Sequence, residues 1–301
     1  MSIFLRDYSV LTASGLGKDA FDAALRREVP IPVASIPLKA GTGTVSFPIL
    51  KADLSRLKDY IPPKTTRRMD TFGRIALLLA ASLLHGKPEE EHRDQGLVVA
   101  TGYGSFSTNM EFLETVFAQG HAGASPMIFS STVHNSAMAA VGIHFAMQGP
   151  ACTLSMFKAS PGGAFVLAET WLASGKADQV LVLVADDVPH LAAYHESRTG
   201  PAPDSSWPEI LLAEGGAGFL LGRTGPLRLA REDSRPVGDP LFGGREEGSV
   251  SHAHAFGRTF GAAGFELCAA ALELEKLERG SIAVDFSAPG AAPLFYRLLK
   301  T

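Results

Sequence analysis

Two uninterrupted apolar runs dominate the hydrophobic pattern of the chain: Gly-Leu-Val-Val-Ala within 95–101 and Val-Leu-Val-Leu-Val-Ala within 179–185. Neither alternates with polar residues, so each predicts a strand buried on both faces. Shorter strands are expected over 2–10, 151–154, 215–221 and 282–286. Apolar residues return at helical spacing over 16–27 (Phe21, Ala24, Leu25) and over 66–84, where Met69, Phe72, Ile75, Ala76, Leu79 and Leu83 share a face and Arg67 and Arg68 make a basic first turn. Helices are also expected over 109–118, 131–147, 164–173 and 262–278, with a short helix closing the chain. Strands bounded by helices predict an α/β fold whose sheet is covered on both faces. Residues 28–62 carry Pro30, Pro32, Pro37, Pro48 and Pro62, which suits an irregular excursion with short strands. Loops are expected over 197–208 and 231–248, and no short tandem repeat is visible.

The local pattern is most informative from Thr153 to Phe165. A short apolar run meets a helix there, with Lys158 on the corner between them. Ser160 can cap that helix, Pro161 suits its first turn, and Gly162 and Gly163 allow other backbone to come close. A helix N-terminus favours an anion and opposes an ammonium, so a lysine is an odd occupant. Lys158 can be read as a Schiff-base nucleophile, as a structural plug paired with a carboxylate or carbonyls, or as a side chain that snorkels outward. Ser155 and Lys158 also spell Ser-x-x-Lys, a short motif of serine acyl enzymes. The turn Gly102-Tyr103-Gly104-Ser105 matches neither the dinucleotide fingerprint nor the P-loop spacing and reads as a tight turn.

Composition narrows the function classes. With 46% apolar and 19% charged residues and a formal charge of -4, the chain carries no general attraction for nucleic acid or anionic lipid. The longest membrane candidate, Ile75 to Leu84, is too short to span a bilayer, and the amino terminus lacks the pattern of a signal peptide. Cys152 and Cys268 lie in apolar contexts and predict reduced core packing in a cytoplasmic protein; no Cys/His spacing suggests a metal, and no cofactor is expected. His252 and His254, at alternate positions, would share one face of a strand.

Several stretches together resemble the β-ketoacyl synthases of the thiolase superfamily. These are Leu11 to Gly17, Arg68-Met69-Asp70-Thr71-Phe72, Ser125-Pro126, Thr132 to Asn135, Gly149-Pro150, Ser174 to Asp178, Glu214 to Gly218, and Gly257 to Gly264. The resemblance implies a five-layer αβαβα fold with a shortened C-terminal half, 1–223 and 224–301 forming one compact unit. It also implies what is missing. The family's nucleophilic cysteine is replaced by Lys158, a catalytic histidine by Arg258 and a conserved lysine by Ala253, and the segment bearing a second histidine is absent from 223–251. Arginine keeps its charge and cannot shuttle a proton.

The chain is therefore most similar to the catalytically inactive chain-length factors, the shorter ones of aryl polyene pathways included. Such a subunit pairs with an active ketosynthase, in a heterodimer or heterotetramer, and meets acyl carrier protein through that complex. By the same resemblance Phe129, His134, Asn135, Met138, Cys152 and Phe157 are candidates for the acyl tunnel or the subunit interface. Two other functions stay open: a stand-alone decarboxylase or hydrolase of acyl thioesters using Lys158, and a homodimeric acyl-binding protein.

Overall fold

The computed structural model describes residues 3–40, 43–200, 211–232, 234, 240–243, 249–289 and 292–300. The strands, in chain order, are β1 (Ile3–Thr12), β2 (Gly15–Leu16), β3 (Ala34–Ala40), β4 (Gly43–Ile49), β5 (Gly96–Thr101), β6 (Ala151–Ser155), β7 (Gln179–Asp186) and β8 (Gly215–Gly222). They continue with β9 (Leu227–Glu232), β10 (Leu241–Phe242), β11 (Ser249–Val250), β12 (Gly280–Asp285) and β13 (Phe295–Lys300). The longer helices are α1 (Lys18–Leu25), α2 (Thr71–Leu84), α3 (Phe106–Gln119), α4 (Ser136–His144), α5 (Ser160–Ala173), α6 (His190–Thr199) and α7 (Ala262–Glu275). None is long and apolar enough to cross a membrane.

The sheet is two copies of one plan. The first half has the spatial order β6-β5-β7-β8-β1 and the second the order β11-β10-β12-β13-β9. Numbered from the start of each half, both read 3-2-4-5-1. The pairing senses also repeat: strand 2 runs parallel to strands 3 and 4, and strand 5 runs antiparallel to strands 4 and 1. The halves meet where β1 pairs with β9, Ile3 opposite Leu229 and Leu5 opposite Leu227.

Burial explains the apolar runs. On β7, Val180, Val182 and Val184 point into a core shared with α5, α7, β12 and β13, while Leu181 and Leu183 point into another beneath α2 and α4. Both faces of the strand are dry, so no polar residue interrupts it. α5 and α7 occupy matching places, each after the third strand of its half, and form the layer between the half-sheets.

The shortening falls on the second half. The first half places α2 between its first two strands and α3 and α4 between its second and third, where the second half has only residues 233–240 and 243–248. The outward face of its sheet is accordingly more polar. Leu227, Leu229, Ile282, Val284, Tyr296 and Leu298 face the central layer, whereas Arg228, Glu232, Ser281 and Arg297 face away, and Arg297 pairs with Glu232 at 3.6 Å. Ala283 and Phe295 alternate to the same outward side but are buried against Leu241, so only part of this face has the alternation of a sheet wetted on one side.

Three expectations are corrected. The chain closes on strand β13 and not on a helix, because Tyr296 and Leu298 alternate inward and both neighbours, β9 and β12, are available to pair. The helix expected from Thr66 begins at Thr71, because the Asp70 carboxylate accepts the Gly73 N–H at 2.7 Å and starts a new helix; Arg67 and Arg68 lie before it. The helix expected over 131–147 is confined to Ser136–His144. Within 28–62, β3 and β4 form a hairpin that packs Ile36, Leu38 and Ile49 against Val188, Ala193 and Leu212. Of the loop expected over 197–208, positions 197–199 instead form the last turn of α6, and 201–208 lie outside the described residues. Within 231–248, Glu232 still belongs to β9, and β10 supplies a short strand.

Candidate functional site

The corner forms as the sequence suggests, with different chemistry at Ser160. β6 ends at Ser155, Phe157–Ala159 make one 3-10 turn, and α5 starts at Ser160. The Ser160 hydroxyl accepts the Met156 N–H at 2.7 Å and donates to the Thr101 carbonyl at 2.7 Å, so it ties the corner to β5 and makes no cap to its own helix. Gly162 allows a close approach: a Cβ there would stand 3.2 Å from the Phe286 carbonyl oxygen. Phe157 holds a left-handed backbone, φ 51, which costs a bulky residue about 1–2 kcal/mol. Its ring is 64% exposed. Lys158 follows, half-buried, ahead of α5.

Arg258 occupies the matching place ahead of α7. Its N–H donates to the Leu211 carbonyl and its own carbonyl accepts from Ala213, which lays the segment beside 211–213. The guanidinium is ion-paired with Glu196 of α6. Two residues on, the Phe260 ring packs on Gly102, where any Cβ would overlap it; it lies 4.8 Å from Tyr103 and 5.5 Å from Phe157.

A group of buried carboxylates stands behind the corner. Asp186 accepts from the Thr101 hydroxyl (2.7 Å) and from the N–H groups of Gly102 (2.8 Å) and Tyr103 (3.0 Å), fixing the turn that follows β5. Asp187 accepts from Ser107, and Asp70 from Thr108. One oxygen each of Asp186, Asp187 and Glu214 has no hydrogen-bond partner among the described residues. Burial pushes Asp186 up to about 6 and Asp187 up to about 8, the charges of Asp70, Glu214 and Asp186 adding to the latter. Glu214 is raised, also by burial. Tyr103 is pushed up to about 12, first by burial and then by Asp186. No group of three or more His, Cys, Asp or Glu that could hold a metal occurs among the described residues.

The remaining candidates divide. His134 lies over Gly104 and accepts the Ser105 N–H at its Nδ1 (3.2 Å), while Ser105 and Asn109 hold the backbone carbonyls of Val133 and Thr132. Asn135 precedes α4 on the exposed side. Phe129 is 60% exposed, with Phe112 5.5 Å away. Met138 instead packs against the core beneath α2, and Cys152 packs against the central core with its thiol 3.7 Å from the Thr153 carbonyl. Met127 and Phe117 are further exposed apolar side chains, as are Ile143 on α4, which contacts β6, and Met156 just after β6. That strand is an edge of the sheet.

His252 and His254 do not share a strand face, because Ala253–Phe256 is a helical turn. His252 Nδ1 lies 2.7 Å from Glu266 and His254 Nε2 lies 3.1 Å from the Leu25 carbonyl. Glu266, 2% exposed on α7, also accepts the His252 N–H and the Ser251 hydroxyl, so one buried carboxylate pins the segment after β11. Glu266→Ala is expected to cost about 2–4 kcal/mol, because it strands those donors in a dry site. Chemical denaturation measures it, and a loss below about 0.5 kcal/mol would show that the pin is dispensable.

Sequence reasoning missed Tyr103, Asp186, Asp187, Glu196, Phe260 and Glu266 as parts of this arrangement. The Asp186-Asp187 pair ending an apolar strand was the available signal for the carboxylates. Residues 48–218 match the family model described as the N-terminal domain of β-ketoacyl synthases. No curated protein matches the chain by sequence. Among solved structures, the ishigamide ketosynthase/chain length factor is similar with a TM-score of 0.78 at 16% identity, over 100% of this chain and 99% of that one. A type II polyketide acyl carrier protein in complex with its hexaketide-bound ketosynthase gives 0.77 at 10%, over 100% and 99%. A ketosynthase in complex with its chain length factor from Xenorhabdus doucetiae gives 0.61 at 13%, over 100% of both chains. At these identities the likeness is one of fold.

Proposed function

The chain belongs to the β-ketoacyl synthase family through residues 48–218, and on that footing we propose that it is a non-condensing subunit of the chain-length-factor type. The observation that carries the reading is the corner itself. Where the fold presents a nucleophile there stands Lys158, and the matching corner holds Arg258 tied to Glu196. Condensation needs a thiolate to carry the acyl group and a neutral donor to steady the enolate oxygen while protons move. An ammonium and a permanently charged guanidinium supply neither.

The work left to such a chain is to pair with an active ketosynthase, in a heterodimer or heterotetramer, and to bound the partner's acyl tunnel in fatty acid- or polyketide-type synthesis, aryl polyene pathways included. The apolar side chains around β6 and the open edge of that strand suit a protein partner. Phe129, His134 and Asn135 lie on the exposed side and would meet the tunnel directly; Met138 and Cys152, packed inward, would shape it from behind. Acyl carrier protein would be met through the complex, in the cytoplasm. We read 1–223 and 224–301 as the two halves of one compact unit. The solved relatives whose descriptions pair a ketosynthase with a chain length factor support the reading at the level of fold.

Co-expression with the active ketosynthase tests it. The two chains should co-elute, and Lys158→Ala should leave the rate of product formation within about twofold, since the side chain does no chemistry. Separate elution together with an unchanged product length distribution would sink the proposal. Borohydride trapping of substrate on Lys158 would favour a lysine-dependent enzyme instead.

A further inference from the structure

Three rings from three separate connections converge in front of the corner. Gly102 and Tyr103 follow β5, Phe157 follows β6, and Phe260 lies in the approach to α7. Phe260 is the middle ring. It lies flush on Gly102, with Tyr103 at 4.8 Å and an interplanar angle of 55°, and Phe157 at 5.5 Å and 66°. Such tilted contacts are the favourable ones for aromatic pairs. Phe157 reaches its place only by holding φ 51, in a region that bulky residues avoid. Strain of that kind persists where surrounding contacts fix it. The same connections carry Lys158, next to Phe157, and Arg258, two residues before Phe260, and Arg258 is close enough to influence the Tyr103 phenol. Any acyl group approaching residue 158 would meet these rings.

We propose that Phe260 is a plug. Seated on Gly102 between Tyr103 and Phe157, it fills the space in which this subunit would otherwise hold the hydrocarbon of an acyl thioester, and so confines the acyl chain of the complex to the partner's side. The inference rests on reading the corner as a retained, non-condensing acyl site. Phe260 is half-buried, so removing its ring opens a recess between Tyr103 and Phe157 that surrounding side chains only partly refill, and a hydrocarbon chain entering it would bury apolar surface against both rings.

Titration of the purified full-length chain with a dodecanoyl-pantetheine thioester tests the plug. Wild type should show no saturable binding. Phe260→Ala should bind one thioester per chain, at least about tenfold more tightly than wild type. Phe157→Ala, which truncates a mostly exposed ring and leaves the fold undisturbed, should show a smaller gain of the same kind and decides the matter if Phe260→Ala does not fold. Saturable binding by wild type equal to that of the variants would overturn the plug. So would folded variants, with unchanged circular dichroism, that bind no better than wild type. Pairing is read separately by co-elution: failure there sinks the subunit reading and leaves this titration intact, whereas co-elution without a gain in binding sinks the plug alone.

Discussion

Replacing Phe165 with Ala is expected to cost about 3–5 kcal/mol of folding stability, at the upper end of what one side chain contributes. Phe165 is fully buried on α5, in the layer between the half-sheets. Its ring lies 5.2 Å from Phe219 on β8, 5.1 Å from Phe286 just after β12, and 5.5 Å from Tyr296 on β13. One partner belongs to the first half and two to the second. The variant therefore loses the transfer energy of a buried ring, opens a cavity among rigid neighbours, and loosens the joint between the halves; each lost aromatic pair adds about 0.5–1.5 kcal/mol. Urea unfolding followed by circular dichroism measures the effect. Phe117→Ala, at an exposed site, should shift the midpoint by less than about 0.5 kcal/mol on the isolated chain and serves as the control. A loss at Phe165 below about 1 kcal/mol would mean that α5 is not what binds the second half to the first.

The second large effect is a pH dependence carried by Asp187. Its carboxyl is pushed up to about 8, first by burial and then by the negative charges of Asp70, Glu214 and Asp186. In the unfolded chain the same group titrates near its ordinary value of about 3.9. Between those values the folded protein holds a proton that the unfolded chain has lost, so stability is fully present below about pH 4 and falls as pH rises through about 8. The slope reaches at most about 1.4 kcal/mol per pH unit for this one proton. Asp186, raised to about 6, adds a contribution of the same sign over a narrower window. Asp187→Asn keeps an oxygen for the Ser107 hydroxyl and removes the ionisation. Thermal unfolding at pH 5 and pH 9 should show the variant gaining on wild type by several degrees more at the higher pH. An equal gain at both, or a loss at pH 9, would show that Asp187 is charged and accommodated in the fold.

Parts of this architecture were legible in the sequence because both faces of certain elements are dry. β5 sends Leu97 and Val99 to one core and Val98 and Ala100 to the other, so its run is continuous and hard to misread. The corner at Lys158 was legible for another reason: Pro161 and the following glycines are residues whose local chemistry states a helix start. β13 was not, since Phe-Tyr-Arg-Leu-Leu-Lys fits a helix as well as a strand until two neighbouring strands offer to pair with it. The break before Thr71 turns on a single carboxylate, Asp70, reaching a single N–H. The repeat of the strand plan left no trace because each half fills the shared plan with different side chains and the second joins its first three strands through the much shorter segments 233–240 and 243–248. At the site, the resemblance to the ketosynthases implied what is missing, a thiol at 158 and an imidazole at 258. It could not show what fills the space, because the seat of Phe260 is a glycine 158 positions earlier in the chain.

The seam between β1 and β9 bears on how the protein is made. β1 pairs with β8 along most of its length and with β9 near its start. Every sheet partner that β1 has outside its own short β2 return therefore lies more than 200 residues downstream. At about 5–20 residues per second of synthesis, β1 waits on the order of 10 to 45 seconds between its own synthesis and that of these partners. During that time Ile3, Leu5, Tyr8 and Val10, all buried in the finished protein, have only the neighbouring helix α1, with Phe21 and Ala24, from the core they later share. Such distant pairing makes folding slow, and it leaves β1 an unpaired strand edge through most of the chain's synthesis, the kind of exposure that invites association with other chains.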